Sequence, residues 1–351
     1  MRRSVAVFAE EADETSTMRM ILSPRGKWRN PAIAGVLLVI SAPGHSAMFP
    51  LPPQDVDVVG ALETTRTRHE DTLLDIARRH GLGYEDITLA NPDVDPWLPG
   101  EGTEIMLPTR FILPAGPREG IVINVAELRL YWDPRPRTGE TPVVVTYPIS
   151  IGRMDWQTPI GMTKVTAKVR NPTWYPPKSV REEHAAEGRP LPAAVPPGKD
   201  NPLGEYAIKL DIPGYLIHGT NRPDGVGMRV THGCIRMFPE DIADLAAHIP
   251  VGTAVRLINE PYKVGWVAGL LYLEVHPPLE EDADVRDTTL TRVTELYVAA
   301  TQSRPASINW YKTQKIFKAA HGVPIAMSKS GTEPLLVTGE GAVPAGAPPA
   351  L

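Results

Sequence analysis

Residues 217–237 read IHGTNRPDGVGMRVTHGCIRM, and the fold turns on how the two ends of this stretch meet. Both ends are short β-type runs, Tyr215 to Thr220 and Arg229 to Met237. Between them lies a turn-rich loop, Asn221 to Met228, built around Pro223-Asp224-Gly225. The spacing predicts a hairpin-like connection with the two strands paired. Cys234 is the only cysteine in 351 residues, so it has no partner for an intrachain disulfide. A thiol with an ordinary pKa of about 8.5 is mostly protonated at neutral pH; a nearby histidine can take its proton and hold a thiolate–imidazolium pair. Two histidines compete for that role. In an extended strand His232 lies about 7 Å from Cys234 along one face, too far for a direct hydrogen bond. His218 lies on the preceding strand, and cross-strand neighbours sit about 4.5–5.5 Å apart at Cβ, so His218 is the favoured base. Gly233, without a Cβ, leaves room for a substrate carbonyl, and the N–H groups of Gly233 and Cys234 are candidates for an oxyanion hole. Arg236, two residues beyond Cys234 and on the same face, can fork onto a substrate carboxylate.

Working outward, Pro239, Glu240 and Asp241 are first-turn residues of a helix whose apolar face is Ile242, Leu245, Ala246 and Ile249. Val255 to Ile258 then returns as a strand. Upstream, IVINV from Ile121, LRLYW from Leu128, PVVVTYPISI from Pro142, KVTAKV from Lys164 and Glu205 to Leu210 read as further strands. Residues 170–203 hold eight prolines and little periodicity. So long a loop inside a domain is usually functional, and it reads as an ordered lid with Trp174 and Tyr175 as its packing anchors. The domain is therefore mainly β, with one helix after the cysteine motif.

Net charge is −5, which removes the electrostatic case for a nucleic-acid partner. The 38 prolines argue against a mostly helical chain. At the N-terminus a basic stretch (Arg25, Lys27, Arg29) precedes the apolar run IAGVLLVI at 33–40 and then Ser46-Ala47, the layout of a secretory signal peptide. Residues 1–17 fit no such layout, so the true start is expected at Met18 or Met20. The apolar run is too short to span a bilayer comfortably, so no transmembrane span is expected in the mature chain. Residues 48–64 read as a linker. In 65–110, Asp71 is the expected cap of a helix through Leu73, Leu74, Ile76 and Ala77 that ends at Gly81. A second short helix carries Ile87 and Ala90 and stops at Asn91-Pro92, and a strand runs from Glu104 to Leu107. Residues 260–325, with LYLEVHPPL and a helix-like stretch from Thr289 to Thr301, form a small appendage. The Gly-, Pro- and Ala-rich tail, 326–351, is expected to be disordered.

The pattern His-Gly-Thr followed by Thr-His-Gly-Cys-Ile-Arg-Met resembles the active-site signature of the L,D-transpeptidase (YkuD) family. The resemblance covers 119–259 and includes Asn171-Pro-Thr-Trp-Tyr-Pro176 and Asn201-Pro-Leu-Gly204. Residues 65–110 resemble a LysM module through T-x-x-x-I-A, I-x-x-A-N-P and a closing G-x-x-I-x-L-P. With the LYLEVHPPL appendage, the chain is similar to Gram-negative periplasmic members. Thr231 stands where the family usually has serine, and the hydroxyl is kept. The resemblance implies a β-sandwich-like catalytic domain with 171–203 as the capping loop. It also implies Cys234 as nucleophile, His218 as proton donor and acceptor, His232 and Gly233 shaping the site, and the Gly219 carbonyl orienting the base. Arg236 is implied as substrate-binding, with Thr231 beside it, and neither metal nor cofactor is implied. The implied partners are peptidoglycan stem peptides and glycan strands. Cys234 would attack the bond between meso-diaminopimelate and D-alanine, release D-alanine, and pass the acyl group to an amine. That amine is either a second stem, giving a 3→3 cross-link, or the lysine of an envelope lipoprotein. Carbapenems would acylate the same thiol.

Two other functions fit the sequence: a hydrolase (L,D-carboxypeptidase) that resolves the same thioester with water, and a non-catalytic glycan-binding protein. His184, His248 and His276 read as structural or solvated, and the pairs Glu182-Glu183 and Glu280-Glu281 as solvated charges.

Overall fold

The computed structural model describes residues 47–285 and 289–328; the expected signal peptide and nearly all of the expected disordered tail lie outside them. The N-terminal part holds β1 (Ala47–Pro50), β2 (Val58–Gly60), β3 (Glu63–Arg66), α1 (Leu73–Arg79), α2 (Tyr84–Ala90), β4 (Glu104–Leu107) and β5 (Arg110–Ile112). The stretch expected to be a linker, 48–64, is instead made of strands. β1 is the edge strand of the main sheet, pairing antiparallel with the segment around Val145, and Phe49 on it is buried. Its prolines fall at strand ends and in the turn, where no ladder donor is missed.

β3 and β4 pair antiparallel around the two helices, a βααβ unit. Thr72, not Asp71, caps α1: its hydroxyl accepts from the Asp75 N–H while the Asp75 carboxylate accepts from Thr72 N–H. Asp71 instead accepts from Arg68 N–H and pairs with Arg79. Asn91 ends α2 and clamps it to β4. Its amide donates to Ile87 O and Met106 O, and its carbonyl accepts from Met106 N–H.

The main body contains β6 (Gly120–Asn124), β7 (Arg129–Asp133), β8 (Val143–Pro148), β9 (Ile151–Gly152), β10 (Gly161–Arg170), α3 (Lys178–Ala186), β11 (Tyr206–Leu210) and β12 (Leu216–His218). These are followed by β13 (Arg229–Thr231), β14 (Ile235–Arg236), α4 (Pro239–His248) and β15 (Ala254–Ile258). One nine-stranded sheet runs in the order β1-β8-β7-β6-β15-β10-β11-β12-β14. It curls as a half-barrel around α4, the helix expected after the cysteine motif. Ile242, Leu245, Ala246 and Ile249 on α4 share one buried cluster with Ile121, Leu130, Tyr147, Ile208, Ile217 and Ile235 from the strands.

The C-terminal part has β16 (Tyr262–Val267), β17 (Leu270–Val275), α5 (Thr291–Thr301), α6 (Trp310–Ala319) and β18 (Ile325–Ala326). The expected disorder does not begin at 326. Ala326 pairs with Tyr272, Met327 is fully buried, and Ser328 bridges to Ile308. No helix among the described residues is long and apolar enough to cross a membrane.

Candidate active site

The two ends of the 217–237 stretch do meet, but not as a hairpin. β12 and β14 run parallel, with Ile217 opposite Ile235 and His218 opposite Arg236. The expected single strand from Arg229 to Met237 is broken in two. Its first part, β13, leaves the sheet to pair in parallel with β9. The chain then bends at Gly233, whose φ is +98°. That conformation, with the Tyr215 ring 3.1 Å from where a Cβ would sit, is why this position must be glycine. Two hydroxyls fix the bend: Thr231 donates to Cys234 O at 2.6 Å, and Thr158 to Gly233 O at 3.0 Å. Cys234 therefore lies diagonally from His218 rather than directly across. Diagonal neighbours in a sheet are separated by about 7–8 Å, a gap that long or aromatic side chains can bridge.

Cys234 is partly buried, and its thiol donates toward Gly214 O at 3.6 Å. Burial pushes the thiol up, opposed by the Leu216 N–H aimed at the sulfur. His218 is buried, with Nδ1 2.6 Å from Gly219 O. Nδ1 is accordingly assigned the proton, leaving Nε2 as an acceptor. Burial first, and then the positive charge of Arg236, lower the imidazole to about 4, against the pull of the Gly219 carbonyl. Both shifts run toward a neutral thiol and a neutral imidazole and against the thiolate–imidazolium pair expected from sequence. Both charged forms are disfavoured by desolvation.

Arg236 exchanges backbone hydrogen bonds with Ser150 at 2.8 and 2.9 Å. No carboxylate pairs with its guanidinium among the described residues, and its buried Nε has no partner. Burial and Arg222 lower its pKa from the usual arginine value. A cation without a counter-ion among the described residues, directly across from His218, can accept a carboxylate.

Sequence reasoning missed a second layer around the motif. His232 Nε2 lies 3.0 Å from the Glu183 carboxylate on α3, inside the loop read as a lid. Arg153 pairs with the same carboxylate and comes within 3.4 Å of His232 Nε2. Trp156 stands edge-on to the His232 ring at 5.1 Å, and His184 lies 6.4 Å away. Glu183 is thus not a solvated charge. Nor is Glu281, which pairs with Arg229 at 2.7 Å. Tyr175, expected to anchor the loop, is 71% exposed; Trp174 does tie the loop, through paired backbone bonds with Val195. Partners thirty to fifty residues apart leave no local signature, and only the folded chain brings them together.

Elsewhere, Glu127, Glu274 and His276 bring ligand atoms within 4.8 Å of one another, all buried. Lys263 Nζ sits 2.8 Å from both carboxylates, so an ammonium already supplies the positive charge there.

A family model for the L,D-transpeptidase (YkuD) catalytic domain matches residues 118–257. Three relatives align over most of both chains. "Probable L,D-transpeptidase YcfS" of Escherichia coli K12 is 37% identical over 321 residues, 90% of this chain and 99% of that protein. "Probable L,D-transpeptidase ErfK/SrfK" of Salmonella typhimurium is 37% identical over 297 residues, 83% and 94% of the two. "Probable L,D-transpeptidase YbiS" of Escherichia coli K12 is 36% identical over 302 residues, 85% and 97%.

Proposed function

This chain belongs to the L,D-transpeptidase (YkuD) family, and we propose that it carries out the acyl transfer of that family with Cys234 as nucleophile and His218 as its base. The observation that carries this reading is the 2.6 Å contact of His218 Nδ1 with Gly219 O, which assigns the tautomer. Gly219 O holds the Nδ1 proton, so Nε2 presents a lone pair on the strand next to the thiol. Because both groups rest neutral, proton transfer accompanies attack. As the Sγ–carbon bond forms, the thiol proton passes to His218 Nε2, and negative charge develops on the carbonyl oxygen. The N–H groups of Gly233 and Cys234 are the proposed donors to that oxygen. Collapse breaks the carbon–nitrogen bond, His218 returns its proton to the departing D-alanine amine, and a thioester remains. An amine then attacks the thioester and gives its proton to His218; the carbon–sulfur bond breaks, and His218 passes that proton to the departing Cys234 thiolate. The donor substrate is the tetrapeptide stem of peptidoglycan, cut after meso-diaminopimelate. The unpaired Arg236 suits its carboxylate.

Residues 65–110 are proposed as a LysM-like glycan-binding module; the βααβ unit of β3, α1, α2 and β4 supports this. Residues 119–259 are proposed as the catalytic domain, 171–203 as its capping loop and 260–325 as the appendage. Export to the periplasm on the N-terminal signal is proposed with them. The test is intact-mass analysis of the mature protein with a tetrapeptide stem, and separately with a carbapenem, beside Cys234→Ala. A covalent adduct on wild type and none on Cys234→Ala is expected. An adduct that survives in Cys234→Ala would overturn the assignment. Cross-linked dimer among the products, rather than free tripeptide alone, separates transfer from hydrolysis.

A further inference from the structure

The lid over the cysteine motif is fastened in two different ways. At its base it is locked. Trp174 and Val195 exchange backbone hydrogen bonds at 2.8 and 2.9 Å, and the buried Asn201 amide reaches the carbonyls of Pro172, Val195 and Pro196 at 2.8–3.3 Å. The helix α3 at its far end has one buried residue, Val180. Glu182, on the outer side, pairs with Lys178 at 3.4 Å. Glu183 points the other way and splits its two oxygens between two elements. One oxygen takes Arg153, from the loop after β9, and the other takes His232 at 3.0 Å.

His232 is one residue from Gly233 and two from Cys234, in the bend held by the Thr158 and Thr231 hydroxyls. Glu183 therefore joins the lid to the backbone that carries the sulfur. We infer that Glu183 is a positioning residue that holds the lid down on His232 and so decides whether the Cys234 thioester is resolved by an amine or by water. The inference rests on the proposed acyl transfer. A lid held through one half-exposed carboxylate over a locked base can lift locally, and water is the acceptor that profits when it does. The charged and titratable groups facing Glu183 are Arg153 from the loop after β9, His232 from the motif, and His184 from α3 itself. Burial lowers the His232 imidazole against the pull of Glu183, with Arg153 and His184 lowering it further. When His232 takes up a proton below neutral pH, the contact becomes an ion pair and the lid is held more firmly, which opposes the growing share of water as the acceptor amine protonates toward acid pH.

The experiment starts from a thioester already formed on the full-length mature protein with a tetrapeptide stem, so that the acylation rate drops out. Acceptor stem is added and the ratio of dimer to free tripeptide is read from pH 5 to 8. Glu183→Gln is expected to raise the tripeptide share about three- to tenfold, the scale on which losing one charge-assisted hydrogen bond shifts an equilibrium. It should also steepen the rise of the tripeptide share toward acid pH relative to wild type. Arg153→Gln attacks the same contact from the other side and should move the ratio in the same direction, with thermal midpoints of both variants checking that the fold is intact. Unchanged partition and unchanged pH dependence in both variants, on a normally formed thioester, overturns the role of Glu183 and leaves the family reaction standing. Failure of wild type to form a thioester overturns the proposed reaction, and this inference with it.

Discussion

Two arginine–carboxylate pairs join peripheral elements to the catalytic sheet, and they differ in how much water reaches them. Arg129 on β7 pairs with Asp86 on α2; their side chains are 0% and 9% exposed, and the guanidinium lies 4.2 Å over the Phe111 ring. Around it the junction is closed by backbone. Tyr84 and Glu85 N–H donate to Val226 O and Gly227 O at 3.1 Å, and Arg78 forks onto Glu240 at 2.8 and 3.0 Å. Arg153 and Glu183, at the lid, are 40% and 28% exposed. The chemistry is the same, but a buried pair cannot come apart without stranding a charge, whereas a half-exposed pair exchanges its partner for water at little cost. The helical module is thus joined to the main body by a pair that water does not reach, and the proposed lid by one that it does.

The harshest way to break this contrast is Asp86→Ala. It leaves Arg129 buried and unpaired and removes the acceptor for Gly83 N–H at 2.7 Å. A loss of about 3–5 kcal/mol is expected in urea denaturation. Glu183→Gln, measured alongside, should leave the urea midpoint close to that of wild type. Equal shifts in the two variants would erase the distinction between a fixed junction and a releasable one.

A smaller effect comes from Glu85 at the same junction. Burial, and then the neighbouring Asp86 charge, raise its carboxyl to about 7. An acid with a raised folded pKa favours the folded state while protonated. Stability is therefore full below about pH 4.5 and declines as pH rises through 7. Glu85→Gln removes the ionisable group and should stabilise the protein at pH 8 by on the order of 2 kcal/mol, after allowance for partial exposure, with little change at pH 4. Denaturation at the two pH values measures it. A stabilisation that does not depend on pH would show that the junction is not strained by this charge.

These differences track what the sequence could and could not reveal. Cys234, His218, Gly233 and Arg236 were legible because they lie within one stretch and their chemistry is local. The strands of the body were legible from alternation, as in β10. The direction of the β12–β14 pairing was not. Each of these strands is only two or three residues long, and the Pro223-Asp224-Gly225 turn mimics a hairpin connection while β13 in fact detours to β9. The stretch 48–64 read as a linker because its strands are short and flanked by proline. What makes them strands is pairing with β8, β5 and β4, far along the chain. Glu183 read as a solvated charge, and nothing marked Arg129, for the same reason: their partners lie 43 residues upstream for Arg129, and 30 upstream and 49 downstream for Glu183.

The nucleophile stands between the two regions, and its ionisation says which of them it resembles. If an imidazolium stood against the sulfur, the thiol and the imidazole would share a proton at rest, and a thiolate would persist from about pH 5 upward. Burial instead raises the thiol and lowers His218 to about 4. Alkylation by iodoacetamide reads the thiolate fraction directly. The rate is expected to climb about tenfold for each pH unit up to pH 9, which is about 1.4 kcal/mol per unit, with no plateau between pH 5 and 8. His218→Gln should leave that slope unchanged, because a neutral imidazole does not lower the thiol pKa. A flat, fast rate across pH 5 to 8 that His218→Gln abolishes would mean that the thiolate is already formed in the free enzyme. The attack on the stem peptide would then need no concerted proton transfer, and the desolvation that sets the module junction apart from the lid would not extend to the sulfur.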